Sequence, residues 1–192
     1  MGENKPLWVP SAERVAASAM TRFREYCAIR NAVDLPDHDA FQQWSVDARG
    51  AFWTDVWDFC GVRGDRGARD LVHGDVMLEA RFFPDASLNF AENLLSKSGP
   101  TDALVFRGED KVDYRWSWDH LHQMVSRLQQ AYRAMGIGKG DRICAMMPNM
   151  PETIACMLAA SSIGAIWSSC SPDFGEQGVL DRFGQIEPKL FI

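Results

Sequence analysis

Seven consecutive residues, Ser168-Ser169-Cys170-Ser171-Pro172-Asp173-Phe174, place three hydroxyls, a thiol and a carboxylate between an apolar run and a helical pattern. Hydroxyls and the free amides at the start of a helix are suited to an anion. Pro172 stiffens the turn. Asp173 has two readings that the residues leave open: a cap for the helix starting near Gly175, or a ligand contact. Asn149, after the preceding apolar strand, poses the same choice, and helix capping is favoured there. A nucleophilic Cys170 needs a base, and no histidine lies near it in the sequence, so Cys170 reads as a non-catalytic thiol.

Other chemistries lack their signatures. No GxGxxG follows a strand, and no GxxxxGK[ST] occurs. Gly136-Ile137-Gly138-Lys139-Gly140 is glycine-rich, but it follows a helical pattern and precedes a strand. It therefore reads as a helix cap and turn at the amino end of a sheet, away from the usual ligand side. His38, His73, His120 and His122 are scattered, and the last two are two apart on a helix, so they cannot face one site. No metal site, HExxH motif, Ser-His-Asp order or carboxylate pair stands out.

Composition excludes further classes. Hydrophobic residues make up 46% of the 192, charged residues 24%, and the net charge is −6. These values suit an ordinary soluble globular protein and oppose non-specific nucleic-acid binding. The arginines from Arg63 to Arg69 are interleaved with Asp65 and Asp70. The most apolar stretch, Thr153 to Trp167, is too short for a membrane span and carries Ser161, Ser162 and Gly164. MGENKPLWVP has no signal core, and Pro6 rules out a lipidation motif at Gly2. Cys27, Cys60, Cys144, Cys156 and Cys170 are odd in number and show no CxxC spacing, which predicts free buried thiols in a reducing cytoplasm.

The elements that must position the loop fall into two textures. Residues 1–99 read as a helical, aromatic-rich wrap with irregular connections. One helix is expected from Ser11 to about Arg30, with Val15, Ala19, Met20, Phe23 and Tyr26 as its stripe. Another begins near Asp39. A third, from Ser45 or Asp47, carries Phe52, Trp53, Val56, Trp57 and Cys60 and ends at Gly61. A short helix covers Asn89 to Leu95. Helical spacing makes Trp44, Trp53 and Trp57 core residues rather than a stacking platform.

Residues 100–192 alternate strand and helix. Ala103–Phe106 and the alternating Val112, Tyr114 and Trp116 predict an antiparallel pair. Ser117 caps a helix whose stripe runs from Trp118 to Met135. Strands at Arg142–Met147, Ala165–Ser168 and Lys189–Ile192 alternate with helices at Pro151–Ile163 and Gly175–Ile186, with Val179, Leu180, Phe183 and Ile186 inward. That pattern predicts an α/β fold: a helical amino-terminal wrap, then the first strands and helices of a right-handed parallel sheet. Such sheets bind ligands beyond the carboxyl ends of their strands.

Several segments together carry a family resemblance: LWVPSAERV, MTRF, FWTDVWDFCGV, FFPDASLNFAENLL, GDRICAMMPNMPET and WSSCSPDFGEQGVLDRFGQIEP. The chain resembles the amino-terminal part of the adenylate-forming acyl-CoA synthetase and luciferase superfamily almost end to end. SSCSPDFG with GVLDRFGQIEPK points more narrowly to its acetoacetate-specific branch. The resemblance implies a helical amino-terminal region over 1–99 and the start of the AMP-binding domain over 100–192.

It also implies a two-step ligase. Acetoacetate attacks the α-phosphate of ATP, giving acetoacetyl-adenylate and pyrophosphate, and the thiol of CoA then displaces AMP. In related enzymes the loop matching Ser171, Pro172, Asp173 and Phe174 lies beside the pantetheine tunnel, so these four positions carry over as CoA contacts. Relatives closer to acetyl-CoA synthetase have a Gly-Gly pair where Pro172 and Asp173 stand.

Family members are much longer. Their phosphate loop, adenine- and ribose-binding segments and catalytic lysine all fall beyond Ile192, so no catalytic residue is assigned here. The expected partners are acetoacetate, ATP and CoA, with Mg2+ in the longer enzyme and nothing held tightly by this span, which is expected to be inactive alone. A fragment would also expose a sheet edge at Lys189 to Ile192. Two alternatives stand beside this reading: another short-chain synthetase (acetyl or propionyl), or a self-contained, non-catalytic binding module.

Overall fold

The computed structural model describes residues 6–192. Gly2 and the rest of Met1–Lys5, with the rejected lipidation motif, lie outside the described residues. The chain divides into two compact units, one up to Leu88 and one from Asn89 to Ile192.

In the first unit the helix expected from Ser11 to about Arg30 is two helices, α1 (Ala12–Ala16) and α2 (Ala19–Asn31). Each has its own serine cap: Ser11 Oγ accepts the Arg14 amide at 3.2 Å, and Ser18 Oγ accepts the Thr21 amide at 3.1 Å. A serine hydroxyl inside a helical run offers the backbone an alternative partner, and here it wins. The break interrupts the anticipated stripe. Phe23 and Cys27 are buried, while Val15 and Met20 stay exposed.

Helix α3 (His38–Asp47) is capped by Asp37, whose carboxylate accepts the Ala40 amide at 2.9 Å. Helix α4 (Arg49–Phe59) ends as expected at Gly61. Gly61 has a φ of 64°, its amide bonds to Asp58 O, and the Val62 amide bonds to Trp57 O. This is a left-handed helix closure that glycine adopts without a Cβ clash. Cys60 sits at that end and is exposed, contrary to its predicted burial.

Phe23, Cys27, Leu35 and Phe41 form the core of this unit, with Trp44, Phe52, Val56 and Phe59 packed on it. Phe23 meets Phe41 edge-on at 5.7 Å. Trp53 contacts Phe52 and Phe82, and Trp57 contacts Phe83, but Trp53 is exposed and Trp44 and Trp57 are half-buried, so these rings line the edge of the cluster rather than its expected core. Phe82 belongs to a short hairpin, β1 (Leu71–Val72) with β2 (Arg81–Phe82), where irregular chain was expected. Among the described residues of this unit, Asp55 is the buried charge. It accepts from Arg30 Nε at 3.1 Å and Asn31 Nδ2 at 2.6 Å. Nothing in the helical stripe marked Asp55 as buried, because its environment comes from α2.

The second unit begins with α5 (Phe90–Leu94). Asn89 caps it through Oδ1, and Asn89 Nδ2 donates to Ser161 O and Ser162 O. Strands β3 (Asp102–Gly108) and β4 (Val112–Ser117) form the expected antiparallel pair. Ser117 caps α6 (Trp118–Ala134). Met135, placed in the stripe from sequence, is exposed because the helix has ended.

The parallel sheet follows: β5 (Arg142–Met146), α7 (Pro151–Ser162), β6 (Ile166–Cys170), α8 (Glu176–Phe183) and β7 (Leu190–Phe191). Its order is β6-β5-β7, both neighbours parallel to β5. Ile143, Cys144 and Ala145 in β5 are fully buried, as a central strand covered on both faces requires. Leu121, Val125 and Tyr132 of α6 pack with Ala155, Leu158 and Ala159 of α7 and with Ile143 as one core. The glycine-rich turn lies at the amino end, as expected: Gly136 has a φ of 73°, and Asp141 Oδ2 accepts the Gly138 amide at 2.8 Å.

Candidate functional site

Because β5 and β6 run in parallel, their following loops emerge at the same end of the sheet. Met146 is opposite Cys170 in the register, and the Met147 amide bonds to Cys170 O at 3.2 Å. Beyond them lie Pro148-Asn149-Met150 on one side and Ser171-Pro172-Asp173-Phe174 on the other. On the opposite side of β5, at the same end, Ile192 continues β7, its amide bonding to Cys144 O and its carbonyl accepting the Met146 amide.

Strand β6 runs to Cys170 rather than ending at Ser168 as expected. Ser168 and Ser169 are strand residues opposite Cys144 and Ala145, and they leave the candidate loop. Cys170 is buried beside Cys144 and Phe183. Burial first, and the Cys170 thiol second, push the Cys144 thiol up from its ordinary value. This is a packed apolar layer, not an activated nucleophile.

The loop that remains is Ser171–Phe174. Ser171, Pro172 and Asp173 are exposed and Phe174 is half-buried. The Phe174 amide closes the turn onto Ser171 O at 3.2 Å. Asp173 does not cap α8; Gly175 holds the cap position, without a side-chain bond. The Ser171 hydroxyl first, and the residue's own amide second, hold the Asp173 carboxyl below the usual carboxylate range. The loop therefore presents an ionised carboxylate to solvent.

Asn149 does not cap α7 either. Met150 takes that position without a side-chain bond, and Thr153 Oγ1 donates to Pro148 O at 2.7 Å. Asn149 instead borders a depression of about 140 Å3 with Phe106, Pro151 and Ile154. The Tyr114 hydroxyl donates to Glu152 in the first turn of α7.

Two further residues shape the loop and were not singled out from sequence. The Arg182 guanidinium lies 4.3 Å from the centre of the Phe174 ring. A Cβ on Gly178 would come within 3.3 Å of Phe174 Cδ1. Glycine in a helix costs about 1 kcal/mol relative to alanine. The available signal was the spacing Phe174, Gly178, Arg182, each four residues from the last.

A larger cavity, about 570 Å3, lies in the first unit beside Arg69, His73, Glu79 and Arg81. Arg69 is already paired with Asp85, its Nε donating at 2.8 Å, and Glu79 opposes an anion there. Among the described residues no three His, Cys, Asp or Glu side chains converge as metal ligands. No described helix is long and apolar enough to cross a membrane.

Comparison with known proteins decides the family. The model of the AMP-binding enzyme family matches residues 92–192. The chain belongs to the AMP-binding enzymes. Among curated relatives of this AMP-binding chain, the acetoacetyl-coenzyme A synthetase of Rhizobium meliloti (strain 1021) is 66% identical over 192 residues. The match covers 100% of this chain and 30% of that protein. The acetoacetyl-CoA synthetase of Danio rerio is 39% identical, over 99% of this chain and 28% of its own length.

The solved acetoacetyl-CoA synthetase from Streptomyces lividans superposes with a TM-score of 0.90 at 35% identity. It covers 97% of this AMP-binding chain and 30% of its own. The chain thus spans about 30% of the length of the relatives it matches. The match is to the amino-terminal portion of an adenylate-forming acyl-CoA synthetase, as the residue patterns implied.

Proposed function

We propose that this chain forms part of an acetoacetate–CoA ligase. That ligase joins acetoacetate to CoA with ATP through an acetoacetyl-adenylate, releasing pyrophosphate and then AMP. The observation that carries the reading is the 66% identity over the whole chain to an acetoacetyl-coenzyme A synthetase. The role of this span is structural and positional. It supplies the central strand β5 with both its parallel neighbours, and the loops at their carboxyl ends.

Ser171, Pro172, Asp173 and Phe174 are the proposed CoA contacts. The parallel register that brings this loop to the ligand end of the sheet supports this. The ionised Asp173 suits the amide N–H groups of the pantetheine arm rather than the phosphates of CoA, since a carboxylate repels an anion. The family implies Mg2+ with ATP; no donor set for it is formed by the described residues, and no step is assigned through it. Five free thiols support a reducing, cytoplasmic setting.

The experiment is pyrophosphate exchange into ATP with acetoacetate. The expected outcome is exchange in the longer ligase carrying these residues and none in the 192-residue chain. Exchange by the chain alone would refute the positional role. A longer ligase that exchanges with acetate or propionate but not acetoacetate would refute the substrate.

A further inference from the structure

The Ser171–Phe174 loop has one anchor. Its first three residues are exposed, and only Phe174 is drawn toward the layer formed by Cys144, Cys170 and Phe183. The one backbone bond closing the turn, Phe174 N–H to Ser171 O, is long at 3.2 Å. The conformation of the loop therefore depends on what holds the Phe174 ring.

Two features of α8 hold it. A Cβ on Gly178 would stand 3.3 Å from Cδ1, so any side chain there would shift the ring by a few tenths of an ångström. Arg182, one turn further on, lays its guanidinium 4.3 Å from the ring centre, well inside the range of a cation–π contact. Among the described residues no carboxylate lies close enough to Arg182 to pair with it, so its charge is available to the ring. The cation is in addition exposed, where an arginine is ordinarily free to swing in solvent.

We infer that Arg182 is a positioning residue for the CoA step: its guanidinium, laid on the Phe174 ring, holds the Ser171–Phe174 loop in the form that receives the pantetheine arm. The inference rests on the reading of that loop as a CoA contact. Arg182 touches neither reactant; it acts through Phe174. Adenylation of the acid, which precedes CoA entry, does not depend on it.

The test compares Arg182→Met, Arg182→Lys and Phe174→Ala in the whole ligase, by pyrophosphate exchange without CoA and by KM for CoA in thioester formation. Losing an exposed cation–π contact should raise the KM for CoA in Arg182→Met by roughly two- to fivefold. Exchange should run at the parent rate, which also shows that the variant folds. Arg182→Lys keeps a cation and should recover most of the loss.

Three results would overturn the inference. If Phe174→Ala raises the KM for CoA and Arg182→Met does not, the ring needs no cation, and the loop reading survives without Arg182. If neither variant moves it, the loop is not a CoA contact and both readings fall. If Arg182→Met lowers exchange as much as thioester formation, Arg182 has only a general structural role.

Discussion

The Tyr114 hydroxyl donates to both carboxylate oxygens of Glu152, at 2.9 and 3.1 Å, tying β4 to the first turn of α7. That turn begins directly after the loop closing β5. The bond thus fixes the antiparallel pair against the carboxyl end of the parallel sheet.

Tyr114→Phe should destabilise the protein by about 1.5–2 kcal/mol, the lower part of the range for a hydrogen bond to a charged acceptor, because the pair is only half-buried. Urea denaturation measures it. Burial first, and Glu152 second, raise the Tyr114 hydroxyl above its ordinary value of 10.0. The folded state therefore keeps a proton the unfolded chain releases. The contribution is complete below pH 10 and is lost as pH rises above it, and Tyr114→Phe should remove that alkaline slope. An unchanged denaturation midpoint would show that the bond does not hold in solution.

Asp55→Ala should cost about 3 kcal/mol, the lower end for breaking a buried charge pair. The lower end applies because Arg30 is partly exposed and keeps Asp58, its Nη2 lying 2.7 Å from that carboxylate. Thermal unfolding followed by tryptophan fluorescence checks this, since the surrounding aromatic cluster reports on the same unit. A loss under 1 kcal/mol would mean water replaces Asp55 as a partner.

One thiol of the five should react with a disulfide reagent in the native protein, at Cys60, the only exposed cysteine. Burial, then the Asp55 hydrogen bond, push the Cys27 thiol up to about 12. Cys27 stays protonated in the folded state while the unfolded chain ionises near 9.0. Its contribution is intact below pH 9.0 and fades between there and about 12. Cys27→Ala should flatten that limb. Two or more native thiols reacting at the Cys60 rate would contradict the packing.

Lys189 donates to Asp141 Oδ2 at 2.9 Å and to Gly136 O at 2.6 Å, joining the residue before β7 to the glycine-rich turn. Lys189 first, and the Gly138 amide second, lower the Asp141 carboxyl below its ordinary value of 3.8. The stabilisation is present above that value and is lost as pH falls through the lowered one. Lys189→Met should bring the Asp141 titration, followed by NMR, back toward 3.8. A titration unmoved by the substitution would show that the pair is broken by solvent.

Local signals were legible wherever one residue decides a backbone state. Gly61 and Gly136 end helices where a positive φ is needed, Pro151 opens α7, and Ser11 and Ser117 cap as their positions suggest. The apolar run of β5 announced a strand covered on both faces, and the spread of matched segments announced the family. Signals with local competition were misread. Ser18 looked like one more helical residue, but its hydroxyl takes an amide and divides the first helix.

The sequence by itself determined the kind of sheet, its strand order along the chain and the family, because apolar periodicity, turn residues and motif spacing are properties of neighbours. Only the tertiary structure decided which residues of the Ser168–Phe174 stretch stay in the loop beyond the sheet. Strand β6 extends to Cys170 because its neighbour β5 offers partners that far, which withdraws Ser168, Ser169 and Cys170 into the sheet. The burial of Asp55 and the seat of Arg182 on Phe174 were likewise decided there. A buried charge depends on partners from another helix, and a cation on a ring depends on how the loop folds back. Neither distance is encoded in spacing alone.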